Sequence, residues 1–337
     1  MVISDDFLAD SSLAEATLRT LRNPLIQKHY KLDPPEVSAI ATREDLKSFL
    51  DRQVLGRLRI DPNFPSTPIP RQDLEPFPHL KWQEEWGQLF QEKKNLLAKL
   101  AQSVGCIKLK RHAQGSSEPI GTGWLIHDNV VATNWHVVEE YFMLNGGELV
   151  IKPSTRLETV QLSINFSNVW HLESLEFSVK TALFLAKESD VKIEGKIAKD
   201  DLALLQVESF STKGEPLPPS LPLSKTYPNA QDNACTIGYP NRENDMEWNE
   251  IKELVVPVDE DKWLGLGKVT SETDTNGNFR HKCNTTPGSS GSPVVSLKTD
   301  NVVGIHFDFG EDDGEGENVA VSIVRLLPIL AKLGYEV

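Results

Sequence analysis

The spacing of apolar residues changes character near residue 100. Before that point it is helical. Leu8, Leu13, Leu18, Leu21 and Leu25 recur among polar neighbours, and Asn23-Pro24 ends or breaks any helix they form. A second helix is predicted over 43–58, with Leu46, Phe49, Leu50 and Leu55 as its apolar stripe; Thr42 followed by Asp45 offers a capping-box-like start. Residues 61–78 then carry six prolines, which fix φ and donate no backbone hydrogen bond, so an extended linker or surface wrapping is expected there. A third helix is predicted over 80–102. Trp82, Trp86, Leu89, Phe90, Leu96, Leu97 and Leu100 give it a face that must dock on something.

From residue 103 the pattern is that of strands. Short runs rich in Val, Ile and Leu, such as VGCIKLK, GTGWLIHDNVVAT, ELVIK, DLALLQVE, NACTIGY, KELVVPV, GSPVVSL and NVVGIHF, alternate with turn residues. The intervals are too short or too polar for crossover helices, which predicts an all-β barrel or sandwich over 103–337 behind a helical extension over 1–102. The closing stretch VSIVRLLPILAKLGY ends as a helix, with Pro328 in its first turn or kinking it.

Composition narrows the class. The chain has 337 residues, 39% hydrophobic and 25% charged, which fits a globular protein with a sizeable core. Its net charge of −14 disfavours nucleic acid and anionic membrane surfaces as partners. Cys106, Cys235 and Cys283 are too few for a disulfide framework and form no C-x-x-C pair. The acidic start, with Asp5 and Asp6, lacks the pattern of a secretory signal, and no run is long enough to span a membrane. A cytoplasmic location is therefore expected. The acidic loop FDFGEDDGEGEN lacks the register of a calcium loop, so neither metal nor cofactor is expected.

The chemistry concentrates in TTPGSSGSPVV, residues 285–295. Glycines flank Ser290 on a turn leading into a strand, and the backbone N–H groups of Gly288 and Ser290 could converge on an oxyanion. An ordinary Gly/Ser turn has the same composition. A serine nucleophile needs a base, and His136 in VVATNWHVV sits where a strand runs into a turn. The base needs a carboxylate. Asp201 heads the apolar strand DLALLQV, where an unpaired acid would be costly to bury; Asp200 competes with it, and both could instead cap the strand in solvent. The chain order His136, Asp201, Ser290 is one of three on which such triads are built.

These motifs resemble the trypsin/chymotrypsin-like serine peptidase superfamily, nearest the bacterial branch that includes the glutamyl endopeptidases. GTGWLI resembles the family's strand before the histidine, TNWHVV its histidine motif and DLALL its aspartate motif. IGYP resembles a strand-end motif of the bacterial branch, and TPGSSGSPVV followed by VVGIH resembles the serine motif and its next strand. The resemblance covers 103–337 and implies two six-stranded β-barrels with the catalytic residues between them, a C-terminal helix, and protein or peptide substrates. It implies Ser290 as nucleophile, His136 as base, Asp201 as its orienting partner, and Gly288 and Ser290 as the oxyanion hole. Thr285 and His306 match positions lining the primary pocket of glutamyl endopeptidases, which implies cleavage after Glu or Asp. Acids at 308–317 could instead attract Arg or Lys.

Ser289 stands where digestive members carry the acid that pairs with a freed N-terminus, so activation by N-terminal insertion is not expected. Control through residues 1–100, by a regulatory partner or by direct contact, is the alternative route. A catalytically silent scaffold of the same fold is the rival reading.

Overall fold

The structure is a computed structural model that describes residues 18, 22, 34–42, 45, 46, 49, 66–69, 80–111, 116–153, 160–169, 172–186, 201–239, 262–285, 288–310 and 317–336. Leu8, Leu13, Leu21 and Leu25, all of the helix expected over 43–58 except residues 45, 46 and 49, the strand expected at KELVVPV, Asp200 and the acidic loop at 311–316 fall outside these residues.

In the N-terminal part, α1 (Pro34–Ser38) precedes the expected capping box. The Thr42 backbone N–H donates to Asp45 Oδ2 at 2.8 Å and the Asp45 N–H donates to Thr42 Oγ1 at 3.0 Å, as the sequence predicts. These bonds hold the Asp45 carboxyl below its ordinary range. Leu46 and Phe49 beyond it are buried. Within the proline-rich stretch, β1 (Ser66–Pro68) does more than wrap the surface, because it is hydrogen-bonded into a sheet. The third predicted helix is present with the expected limits as α2 (Leu80–Gln102).

Beyond it the chain is mostly strand. The first half contains β2 (Val104–Lys110), β3 (Glu118–His127), β4 (Val130–Thr133), the short helix α3 (Trp135–Val138), and β5 (Phe142–Asn145). It continues through β6 (Glu148–Ile151), β7 (Gln161–Asn165), β8 (Glu176–Leu185) and β9 (Ala203–Val207). Ile107 and Leu109 of β2, Leu162 and Ile164 of β7, and Phe177 and Val179 of β8 alternate inward into one apolar core. The order β8-β7-β2-β3-β4-β9 closes through β8–β9 pairing into a six-stranded barrel, with the β5–β6 hairpin attached at β8. Closure leaves those six strands without a free edge.

The second half contains β10 (Asn233–Gly238), β11 (Trp263–Lys268), β12 (Asn278–His281), β13 (Pro293–Ser296), β14 (Val302–Gly310) and β15 (Glu317–Ser322), and ends in α4 (Leu327–Lys332). Pro328 occupies the first turn of α4, where its missing N–H costs nothing. The sheet order is β1-β11-β10-β13-β14-β15-β12, and a bridge between Val269 and His281 brings the β12 end back toward β11. This is the double barrel the sequence leads one to expect, with β1 added along β11.

The core continues into α2. Trp86, Phe90, Leu97 and Leu100 share one buried cluster with Trp124 and Leu204 of the first barrel, Leu264 and Ile305 of the second, and Leu330 of α4. Burial of each large side chain stabilises by about 1.5–3 kcal/mol. Lys93 of α2 also meets Asp300, in the turn between β13 and β14, at 2.5 Å.

A candidate active site at the seam of the barrels

Pairing of β4 with β9 sets the first half of the site. Thr133 opposes Ala203, so the residues leaving β4 pass those entering β9. His136 follows on α3, and Asp201 lies just before β9. The two meet directly. His136 Nδ1 lies 2.5 Å from Asp201 Oδ2, and the His136 backbone N–H donates to Asp201 Oδ1 at 3.0 Å. Asn134 Nδ2 donates to the Asp201 carbonyl at 2.9 Å and ties the two segments once more.

The Asp201 side chain is 3% exposed and that of His136 is 33% exposed. A carboxylate buried to that extent needs donors on both oxygens, and it has them. Since an ionised carboxylate only accepts, the contact assigns the proton to Nδ1 and leaves Nε2 with a lone pair.

Ser290 sits half-buried on the turn before β13. That turn is pinned to the first barrel. The Thr122 N–H donates to the Ser290 carbonyl at 2.9 Å, and Thr122 Oγ1 donates to the Gly288 carbonyl at 2.9 Å. Gly288 and Gly291 both adopt positive φ, 92° and 91°. At Gly291 a Cβ would lie 2.0 Å from the Thr122 carbonyl oxygen and 2.5 Å from Thr133 Oγ1. The second barrel holds the other side, where the Gly291 N–H donates to the His306 carbonyl and the His306 N–H to the Ser292 carbonyl, both at 2.9 Å.

The two halves share neighbours. A Cβ on Gly121 would lie 2.7 Å from Val137, next to His136, and 3.4 Å from the Ser290 carbonyl oxygen. The serine turn thus packs on Gly121 and Thr122 within β3 and on Thr133 at the end of β4, from which α3 departs. Pro287, between Thr285 and Gly288, falls outside the described residues.

Thr285 and His306 are both buried. The Thr285 hydroxyl donates to Asn318 Oδ1 at 2.7 Å, and Asn318 Nδ2 donates to the Cys283 carbonyl at 2.8 Å. His306 stacks edge-on against His281, with ring centroids 5.4 Å apart. Burial pulls the His281 imidazole down to about 3 and keeps it neutral. His281 and Asn318 were not singled out from the sequence. The signal for His281 was its two-residue spacing from Phe279 on β12, which puts both on one face.

A family model described as a trypsin-like peptidase domain matches residues 121–305, more than half of the chain. Two solved structures are similar at low identity. One is the serine endoprotease from Yersinia pestis, with 17% identity, 71% of this chain and 65% of that chain covered, and a TM-score of 0.44. The other is Rv3671c from M. tuberculosis H37Rv in an inactive serine-to-alanine form, with 16% identity, 71% and 90% covered, and a TM-score of 0.40. The match spans less than two thirds of the Yersinia protein's length. No curated protein matches the sequence. Because the family match covers more than half of the chain and takes in His136, Asp201 and the serine turn, the chain belongs to the trypsin-like peptidase domain family, a family of serine endopeptidases.

Proposed function

We propose that this protein hydrolyses peptide bonds in protein substrates by acyl transfer, with Ser290 as nucleophile, His136 as general base and Asp201 as the group that orients the base. The observation that carries the reading is the double hold of Asp201 on His136, through ring and backbone together. Neutral His136 would take the Ser290 hydroxyl proton as Oγ attacks the scissile carbonyl. The carbonyl oxygen would become an oxyanion, stabilised by the N–H groups of Gly288 and Ser290. The proton would then pass to the leaving amine, and water would hydrolyse the acyl-enzyme with the same base. Apart from substrate and water, every group in this cycle belongs to the chain.

The narrower reading is a preference for Glu or Asp before the cleaved bond, as in the glutamyl endopeptidase branch. Its support is the buried edge-on pair His281–His306, with His281 opposite Asn318, the residue that accepts from the Thr285 hydroxyl. Residues 1–102 form in this reading an extension that stabilises and regulates the peptidase unit at 103–337. A cytoplasmic location is retained because all three cysteines are free and buried. No described helix is long and apolar enough to cross a membrane.

The test is labelling with a fluorophosphonate, alongside a fluorogenic peptide panel. Wild type should label and Ser290→Ala should not, while keeping its thermal melt. Folded wild type that neither labels nor cleaves would instead make the protein a scaffold. Fastest turnover after Arg or Lys would replace the acidic preference alone.

A further inference from the structure

We infer that the outer face of the first barrel carries a binding site for an acidic polypeptide segment. The strands that send Ile107, Leu109, Leu162, Ile164, Phe177 and Val179 inward must send the alternate residues outward. Register aligns those outward residues. Lys110 opposes Gln161, and Ser163 opposes Ser178. They line a cleft of 620 Å³ together with Lys152 and Pro153, which follow β6, and Thr212 and Lys213 in the turn after β9.

The floor is internally neutralised. Glu176 accepts from Lys108 Nζ at 2.6 Å and from Ser163 Oγ at 2.6 Å, so the one carboxylate among the described lining residues is already satisfied. The rim is not. Lys110, Lys152 and Lys213 have no carboxylate partner among the described residues. In a chain of net charge −14, three unneutralised ammonium groups around one concavity form a local positive field against the general trend.

The shape of that field selects the ligand. Lysines are flexible point charges, and the described lining residues hold no arginine fork, no glycine nest and no helix N-terminus of the kind that cradles phosphate. Charges borne on three separate chain segments suit carboxylates spaced along an extended chain. Gln161 and Ser178 supply polar contacts for its backbone between them. The site stands apart from the serine turn. Its role in recruiting protein substrates rests on the endopeptidase reading, but its ability to bind does not.

The experiment measures fluorescence anisotropy of a short fluorescein-labelled polyglutamate peptide, with the full chain in a Ser290→Ala background so that no probe is cleaved. A polyglutamine peptide is the control. Saturable binding of polyglutamate alone, weakening as salt rises, is expected. Combined Lys110→Gln, Lys152→Gln and Lys213→Gln should weaken it about tenfold. Single Lys213→Glu, in an exposed turn, gives the same readout if the triple variant folds poorly. Absence of binding, or binding unchanged by either variant, overturns the site. Displacement of the peptide by tripolyphosphate at much lower concentration overturns the polypeptide class. Because binding is read without turnover, an inactive enzyme that still binds, or an active one that does not, separates the two readings.

Discussion

Asp201 holds His136 by two different groups, the ring Nδ1 and the backbone N–H, so position and tautomer are set by one buried carboxylate. Asp201→Asn keeps the volume but can turn its amide NH₂ toward the ring, which reverses the tautomer. Turnover of a peptide substrate should fall by about 10³–10⁴-fold. The thermal melt should move by only a few degrees. An Asn variant with near-normal kcat would show that Asp201 does not orient the base.

Gly291 is a second rigid point. Its φ of 91° and the Thr122 carbonyl 2.0 Å from a would-be Cβ leave no room for a side chain. Gly291→Ala should destabilise by about 3 kcal/mol or more and displace the serine turn. Gly146 also has positive φ, 60°, but open space around its Cβ. Gly146→Ala should cost only about 1 kcal/mol. Urea denaturation of the two variants compares them directly, and equal losses would contradict the packing argument.

Lys262 is fully buried. Its ammonium donates to the Ala101 carbonyl at the end of α2 and to the Phe166 carbonyl at 3.1 Å, and it lies 5.5 Å from the Tyr239 ring centre. Burial pulls it down to about 7. In the unfolded chain a lysine titrates near 10.4. Between these values the unfolded state binds more protons, so stability rises with pH across that window. The cost of burying the charge is complete below about pH 7 and gone above about pH 10.4. Lys262→Met removes this dependence. Denaturation curves of both proteins from pH 6.5 to 10 should diverge in slope; parallel curves would refute the assignment.

Phe90 of α2 is 1% exposed in the cluster that spans both barrels. Phe90→Ala should destabilise the whole protein by about 3–5 kcal/mol. The melt should remain a single transition, since the helix and barrels share a core. Loss of helical signal before an unchanged barrel transition would mean that α2 is only tethered.

Much of this site is written in local sequence. His136, Asp201 and Ser290 each stand beside a short apolar run that is itself a strand or leads into one, and glycines mark the serine turn. The limits of α2 and the Thr42–Asp45 cap were also legible, because helix periodicity and capping are short-range. Strands β7 and β8 were less so: their outward residues are polar, and runs such as QLSIN do not read as apolar. Lys262 was not legible at all. In DEDKW it looks like part of a solvated charge run, and only the meeting of α2, the segment after β7 and the start of β11 buries it.

By itself, then, the chain determined its division into a helical first part and a strand-rich remainder and the places of several elements within them, since alternation, capping and turn chemistry act over a few residues. Tertiary structure alone decided that the segment before β9 meets the helix after β4, and that β1 and α2 join the peptidase core. It also decided that three lysines from distant segments face one cleft. Those outcomes depend on strand register and barrel closure, which pair residues far apart in sequence and are set by global packing rather than by any local pattern.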